Sequence, residues 1–204
     1  MTNLDKLISY FEGFPGIGGR QARRFAFHIL TLPQADTEEI AHLIKNLQGT
    51  VTECARCHRF FAQVSGKSEM CSICTDPNRD RSKLMVVERD TDVQSIERSG
   101  VYDGLYFVLG GTLPLLSENS TKLRSGALKA TVDTQLTEDL EEIILAFSVN
   151  PDGENTLRYV ESLLKEKVHE HNLKVTQLGR GLSTGSELEY ADPETIKNAF
   201  SARI

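Results

Sequence analysis

The sequence predicts an α/β protein assembled from several modules. Three observations predict it: helical periodicity confined to the first 50 residues, two C-x2-C pairs directly after them, and short apolar runs that alternate with helical stretches from Lys83 onward. Leu4, Leu7, Ile8 and Phe11 recur at helical spacing, and beyond a glycine-rich break Ala22, Phe25, Ala26, Ile29 and Leu30 do so again. Asp36 followed by Glu39 reads as a capping box opening a third helix that carries Ile40, Leu43, Ile44 and Leu47. The cysteine segment runs from Glu53 to Pro77. After it, LMVV, LYFVL, IILAF and LKVTQL are strand candidates. A short helix over Thr91 to Ser99, stopped by Gly100, and a long one over Glu154 to His171 fall between them. Strand and helix in alternation give βαβ units, hence a mostly parallel sheet flanked by helices. Residues 110–135 read as a loop with room for one helix. The tail turns glycine-rich at GRGLSTGS, and Asp192 and Pro193 stand as N-cap and first residue of a closing helix. The expected organisation is a helical region over 1–52, a four-cysteine module over 53–78, a sheet domain over 79–175, and a glycine-rich segment with a helix over 176–204.

With 204 residues, 39% of them hydrophobic, the chain can bury a core. The start, MTNLDKLISYFEGF, is amphipathic and carries Asp5 and Glu12, unlike an export signal, and no apolar run reaches membrane-spanning length. The expected location is therefore cytoplasmic, where thiols stay reduced and four cysteines favour metal over disulfides. The net charge of −6 argues against a uniformly basic nucleic-acid binder, but it hides an asymmetry. Residues 1–83 hold 11 Lys and Arg against 9 Asp and Glu, whereas residues 84–204 hold 12 against 20. Between Glu12 and Asp36 there is no acid. One end can face phosphates and the other suits different partners.

Cys54, Cys57, Cys71 and Cys74 form C-x2-C, 13 residues, C-x2-C. Two such knuckles let four thiolates close a tetrahedron around one structural zinc ion, with iron as the alternative occupant. Four thiolates leave no open position for a catalytic water. Two decoys lie in this segment. CARCH matches a haem-attachment spacing, but the second knuckle accounts for both of its cysteines. Gly66-Lys67-Ser68 ends like a phosphate loop, but Phe61 stands where that loop needs glycine.

FPGIGGRQARRFAFHIL is the second informative stretch. Gly16 and Gly18 suit a tight hairpin, and the helix beyond points its first amides outward, where a phosphate fits. Arg20 and Arg24 lie one turn apart, off the apolar face, and project toward one nucleic-acid strand. This is a helix-hairpin-helix pattern whose contacts hold the backbone, so DNA binding is expected to be sequence-independent and salt-sensitive. An ordinary helical turn with solvated arginines remains the alternative.

Glu88 ends the first strand of the sheet domain, and SVNPDGE follows the IILAF strand with Asp152 and Glu154. Acids at the carboxyl ends of parallel strands sit where such sheets bind ligands, and converging carboxylates would permit magnesium chemistry on phosphates. The positions nearest that strand end are Ser148 and Asn150, which carry no carboxylate.

In this order the pieces resemble the RecR family of bacterial recombination mediators along nearly the whole chain. The resemblance rests on FPGIGGRQARRFAFHIL, the four cysteines, VVERD at the start of a Toprim domain, and GRGLSTGSELEYAD near the end. It implies a non-enzymatic DNA-binding protein of recombinational repair, with one structural zinc ion per chain. It also implies a homo-oligomer, a tetrameric ring or a dimer in solution, that clamps DNA and works with RecO and RecF to load RecA at gaps and single-strand ends. Arg20 and Arg24 match the family's basic positions, Arg20 in place of the more usual Lys. Toprim enzymes carry a strand-end Glu and an Asp-x-Asp pair; Glu88 matches the first, while Ser148 and Asn150 replace the second, as RecR proteins generally lack it. The resemblance thus favours a docking platform, with Glu88, Asp152 and Glu154 as partner-binding candidates, over a magnesium-dependent nuclease or primase. The sequence departs from the family pattern at Ser183 and Ser186 and across residues 112–121.

Overall fold

The structure is a computed structural model that describes residues 1–62, 68–115, 123–179, 181–182, 185 and 187–201. Gly66, Lys67, Ser183, Ser186 and residues 116–121 of the departing loop lie outside that set. The chain divides into two compact units, Met1–Val51 and Thr52–Ile204. No helix among the described residues is long and apolar enough to cross a membrane.

The first unit holds α1 (Asn3–Glu12), α2 (Gly19–Ile29) and α3 (Gln34–Thr50). Thr2 caps α1 reciprocally with Asp5: the Asp5 amide donates to Thr2 Oγ1 at 3.2 Å, and Asp5 Oδ2 accepts from the Thr2 amide at 2.8 Å. That bond from the Thr2 backbone holds the Asp5 carboxyl below its usual range. Phe11 of α1 meets Phe25 of α2 edge-to-face at 6.0 Å, and Ala22 and Ala26 are fully buried. The third helix begins earlier than Asp36. Its N-cap is Pro33, with no side-chain cap, and Asp36 falls inside the first turn, where a carboxylate meets the positive end of the helix dipole. The expected apolar face of α3 is present but uncovered, with Ile40, Leu43, Ile44 and Leu47 exposed and no buried residue in the helix.

The second unit opens with β1 (Val51–Glu53) paired to β2 (Phe60–Ala62), then a one-turn helix α4 (Ser72–Thr75). The chain continues through β3 (Asp80–Val87), α5 (Asp90–Ser99), β4 (Gly104–Val108), α6 (Ser125–Leu136), β5 (Glu142–Ala146), α7 (Pro151–Glu170) and β6 (Lys174–Gln177). A short 3-10 turn, Leu188–Tyr190, precedes α8 (Pro193–Ser201). Gly100 closes α5 at φ +66°, a left-handed conformation that glycine adopts without strain. Asn150 caps α7 by accepting the Gly153 amide at 2.8 Å, with Pro151 as the first helical residue. Asp192 caps α8 through the Thr195 amide at 3.0 Å.

The strands form one parallel sheet in the order β4-β3-β5-β6. Helical crossovers between parallel neighbours cover both faces, which is why the run Leu84–Val87 is apolar throughout. Alternate residues divide the core. Leu84, Val86, Leu105 and Phe107 face α6 and α7, packing on Leu128, Val132, Val160 and Leu164. Met85, Val87, Tyr106 and Val108 face the other way, onto Val93 of α5 and onto the cysteines. The four-cysteine module therefore forms part of a covering layer of the sheet.

Candidate metal centre and nucleic-acid interface

Cys54 and Cys57 sit in the turn between β1 and β2, where the Cys54 amide donates to the Arg59 carbonyl at 2.9 Å and the His58 amide to the Cys54 carbonyl at 3.0 Å. Cys71 is the N-cap of α4 and Cys74 its third residue. Tight turns bring both thiols of each pair to one side. All four are buried, none forms a disulfide, and their sulfurs lie within 4.8 Å of one another. The Cys57 and Cys71 sulfurs are 3.6 Å apart. Metal–sulfur bonds of ~2.3 Å in a regular tetrahedron require sulfur spacings of ~3.8 Å, so this geometry fits one ion. The charge pattern agrees. Hydrogen bonding from Cys57, Cys71 and Cys74 drives the Cys54 thiol far below its ordinary value, and the shared negative site drives Cys74 far above it through bonding with Cys54. Four buried sulfurs cannot all ionise without a cation, and a metal ion supplies one. The Cys71 amide also points at Cys54 Sγ, 3.3 Å away.

The module is tied to the sheet by more than apolar contact. The Val108 amide donates to the Cys57 carbonyl at 2.8 Å, and the Phe60 amide to Asp90 Oδ1 at 2.6 Å. Arg56, inside the first knuckle, pairs with Glu138 at the end of α6, which also accepts from Arg81 at 2.7 Å. His58 meets the ring of Phe107 edge-on at 5.2 Å.

In the helical unit the hairpin follows the expected course. The Ile17 amide donates to the Phe14 carbonyl at 3.0 Å, and Gly16 takes φ +76°, which disfavours any side chain. Gly18 differs: it is the extended N-cap of α2, and a Cβ there would meet nothing within 4 Å. Its small size leaves the helix entrance open. At Gly19 a Cβ would lie 2.9 Å from Oε1 of the exposed Glu12 side chain, which can swing aside. Arg20 and Arg24 are both exposed on α2, and Arg24 reaches Gln21 at 3.5 Å. Arg23, one position earlier on the same exposed surface, belongs to this cationic set, and the sequence reading passed over it.

At the carboxyl edge of the sheet, Glu88 follows β3 at the point where strand order reverses, the usual ligand crevice of such sheets. It is only 5% exposed, and its carboxylate accepts the Ser148 amide at 2.6 Å. Gly153 makes that loop possible, because a Cβ would lie 1.9 Å from the Ser148 carbonyl oxygen. Asp152 accepts the Leu115 amide at 3.0 Å, and Glu154 is half-buried in the first turn of α7. Glu88 thus fastens the loop, and Asp152 and Glu154 flank it, both only partly exposed. Among the described residues the four cysteines are the one group of three or more ligating side chains close enough to share an ion.

A helix-hairpin-helix unit joined to a four-cysteine centre and a parallel Toprim-like sheet defines a class of nucleic-acid-transaction proteins. Residues 82–179 match the Toprim domain family, residues 4–48 the RecR helix-hairpin-helix family, and residues 181–204 the RecR C-terminal family. The chain is similar to the recombination protein RecR of Lactobacillus acidophilus, 36% identical over 198 residues covering 97% of this chain and 94% of the relative. It is 37% identical to that of Lactobacillus delbrueckii subsp. bulgaricus over 201 residues, 98% and 96% of the two chains. It is 36% identical to that of Bifidobacterium longum over 98% and 94%. The chain belongs to the RecR family.

Proposed function

We propose that this chain is a DNA-binding mediator of recombinational repair that acts by assembly, without catalysis. One observation carries the reading: an acid-free helix presents Arg20, Arg23 and Arg24 to solvent, in the same chain as a Toprim sheet whose strand end keeps Glu88 but places Ser148 and Asn150 where the paired aspartates would stand. Glu88 is engaged by a backbone amide, which suits a loop brace better than a magnesium ligand.

Arg20 and Arg24, with the open backbone at Gly16 and Gly18, hold the phosphate chain without reading bases. One such hairpin binds weakly, and several linked copies gain avidity without new contacts. The uncovered stripe of α3 supports association of copies into a ring-like clamp. The partners are RecO and RecF, which meet the acidic loop of Asp152 and Glu154 held by Glu88, and together they load RecA on gapped or single-stranded DNA. The ion in the cysteine site is zinc, held by Cys54, Cys57, Cys71 and Cys74, and it supplies folding energy only.

Anisotropy titrations of labelled DNA at low salt test the DNA reading: Arg20→Glu with Arg24→Glu abolishes binding, and unchanged binding overturns it. Magnesium-dependent cleavage or synthesis lost in Glu88→Gln would replace the mediator with an enzyme. Elemental analysis reading one zinc per chain supports the ion's identity, and a coloured iron protein refutes it.

A further inference from the structure

The solvent face of α2 carries aromatic surface that phosphate binding leaves unexplained, most of it at Phe27, with Phe25 44% exposed beside it. Phe27 is 54% exposed, although Ala22 and Ala26 of the same helix are fully buried. Its surface neighbours one turn back, at i−4 and i−3, are Arg23 and Arg24, and His28 stands beside it. These four side chains line one surface groove, and α2 contains no acid. Phe25 lines the same groove and is partly exposed, but its ring also meets Phe11, whereas the Phe27 ring has no ring contact among the described residues. A ring set among cations is the arrangement by which proteins hold single strands: the cations track phosphates and the ring stacks an unpaired base.

We propose that Phe27 is a base-stacking residue that makes this helix select single-stranded DNA over duplex. In a duplex the base faces are already stacked on one another, so the ring gains a partner only where bases are unpaired. The arginines hold the backbone of either form, and Phe27 discriminates between them. The inference rests on the DNA-binding reading of α2, and it names the substrate of that surface. An apolar protein partner is the competing occupant of the ring, and charge decides against it, because a cationic rim free of acids is complementary to a polyanion.

The test uses the full chain and three DNA probes: an oligo-dT strand, a duplex of equal length, and a strand of abasic sites with the same phosphates. Phe27→Leu keeps an apolar side chain on an exposed position and leaves the circular dichroism spectrum unchanged. It weakens oligo-dT binding at least about fivefold, changes duplex binding less than about twofold, and binds the abasic strand as the parent does. The protein contains no tryptophan, so Phe27→Trp installs a unique fluorophore. Oligo-dT quenches that indole, and the abasic strand does not. Equal losses on oligo-dT and duplex, or equal parental affinity for oligo-dT and the abasic strand, overturn the stacking role while the arginine reading stands. A fall in solution mass with DNA affinity intact assigns Phe27 to a protein contact and also overturns it. If Arg20→Glu with Arg24→Glu changes nothing on any probe, the DNA-binding reading itself falls.

Discussion

The helical unit and the sheet unit bury their side chains in opposite ways. In the first, Ala22 and Ala26 are the fully buried apolar residues of α2, and α3 hides none of its 17. In the second, both faces of a parallel sheet are covered, one by α6 and α7, the other by α5 and the four cysteines. The difference teaches where stability is generated. The sheet unit completes its own core, with the four cysteines as part of the packing, whereas the helical unit leaves apolar surface on α3 exposed. Under the proposed function, the cationic face of that unit would serve DNA and its apolar stripe neighbouring copies.

The comparison breaks most sharply if the metal is removed. Cys74→Ser, or a strong chelator, is expected to abolish the cooperative thermal transition of the sheet unit, because structural metal binding of roughly 10 kcal/mol is folding energy. Near-ultraviolet circular dichroism, sensitive to Tyr102 and Tyr106 packed at 5.1 Å on the cysteine side of the sheet, reads the loss. A preserved spectrum and transition without metal would show that the cysteines pack without an ion. On the opposite face, Phe107→Ala removes a fully buried ring and costs about 3–5 kcal/mol in urea denaturation. A cost below about 1 kcal/mol would mean that this face is loosely packed. Protonation separates the units more gently. Bonding to Arg56 holds Glu138 below its ordinary 4.5, so its contribution is present above pH ~4.5 and disappears as pH falls through the depressed value. Glu138→Gln should flatten that acid-side loss by less than about 1 kcal/mol, measured as urea midpoints across pH 3–6. The smallest stability effect belongs to α3. Leu43→Glu with Ile44→Glu leaves unfolding within about 0.5 kcal/mol, since both side chains are exposed, yet lowers the mass in solution. Unchanged mass would remove α3 from the assembly.

Much of this architecture was legible as local pattern. The apolar runs at Leu84, Leu105 and Ile143 mark strands because both sheet faces are covered, and C-x2-C pairs mark a metal site because ligand spacing is local chemistry. The helix α6 was hidden within a stretch read mostly as loop. Its buried positions are Leu128, Thr131, Val132 and Gln135, and two polar residues among four erase the apolar period. The early start of α3 was missed because Pro33 ends the preceding turn without a capping side chain. Glu88 was recognised as a strand-end acid, but its engagement by Ser148, 60 residues away, is a tertiary fact. The same holds for the packing of the cysteines on Met85, Val87, Tyr106 and Val108, because C-x2-C spacing names ligands and not the neighbours they cover.

The cysteine layer has a consequence for biosynthesis. The cysteines precede β3, β4 and β5 in the chain, so during synthesis they emerge before the sheet they cover. An ion loaded at that stage would occupy four thiols otherwise free to oxidise or mispair. It would also present Met85, Val87, Tyr106 and Val108 with a finished surface as each emerges. If the site takes a metal as proposed, its filling would precede completion of the sheet, and a chain short of metal would lack that wall for the sheet to fold against.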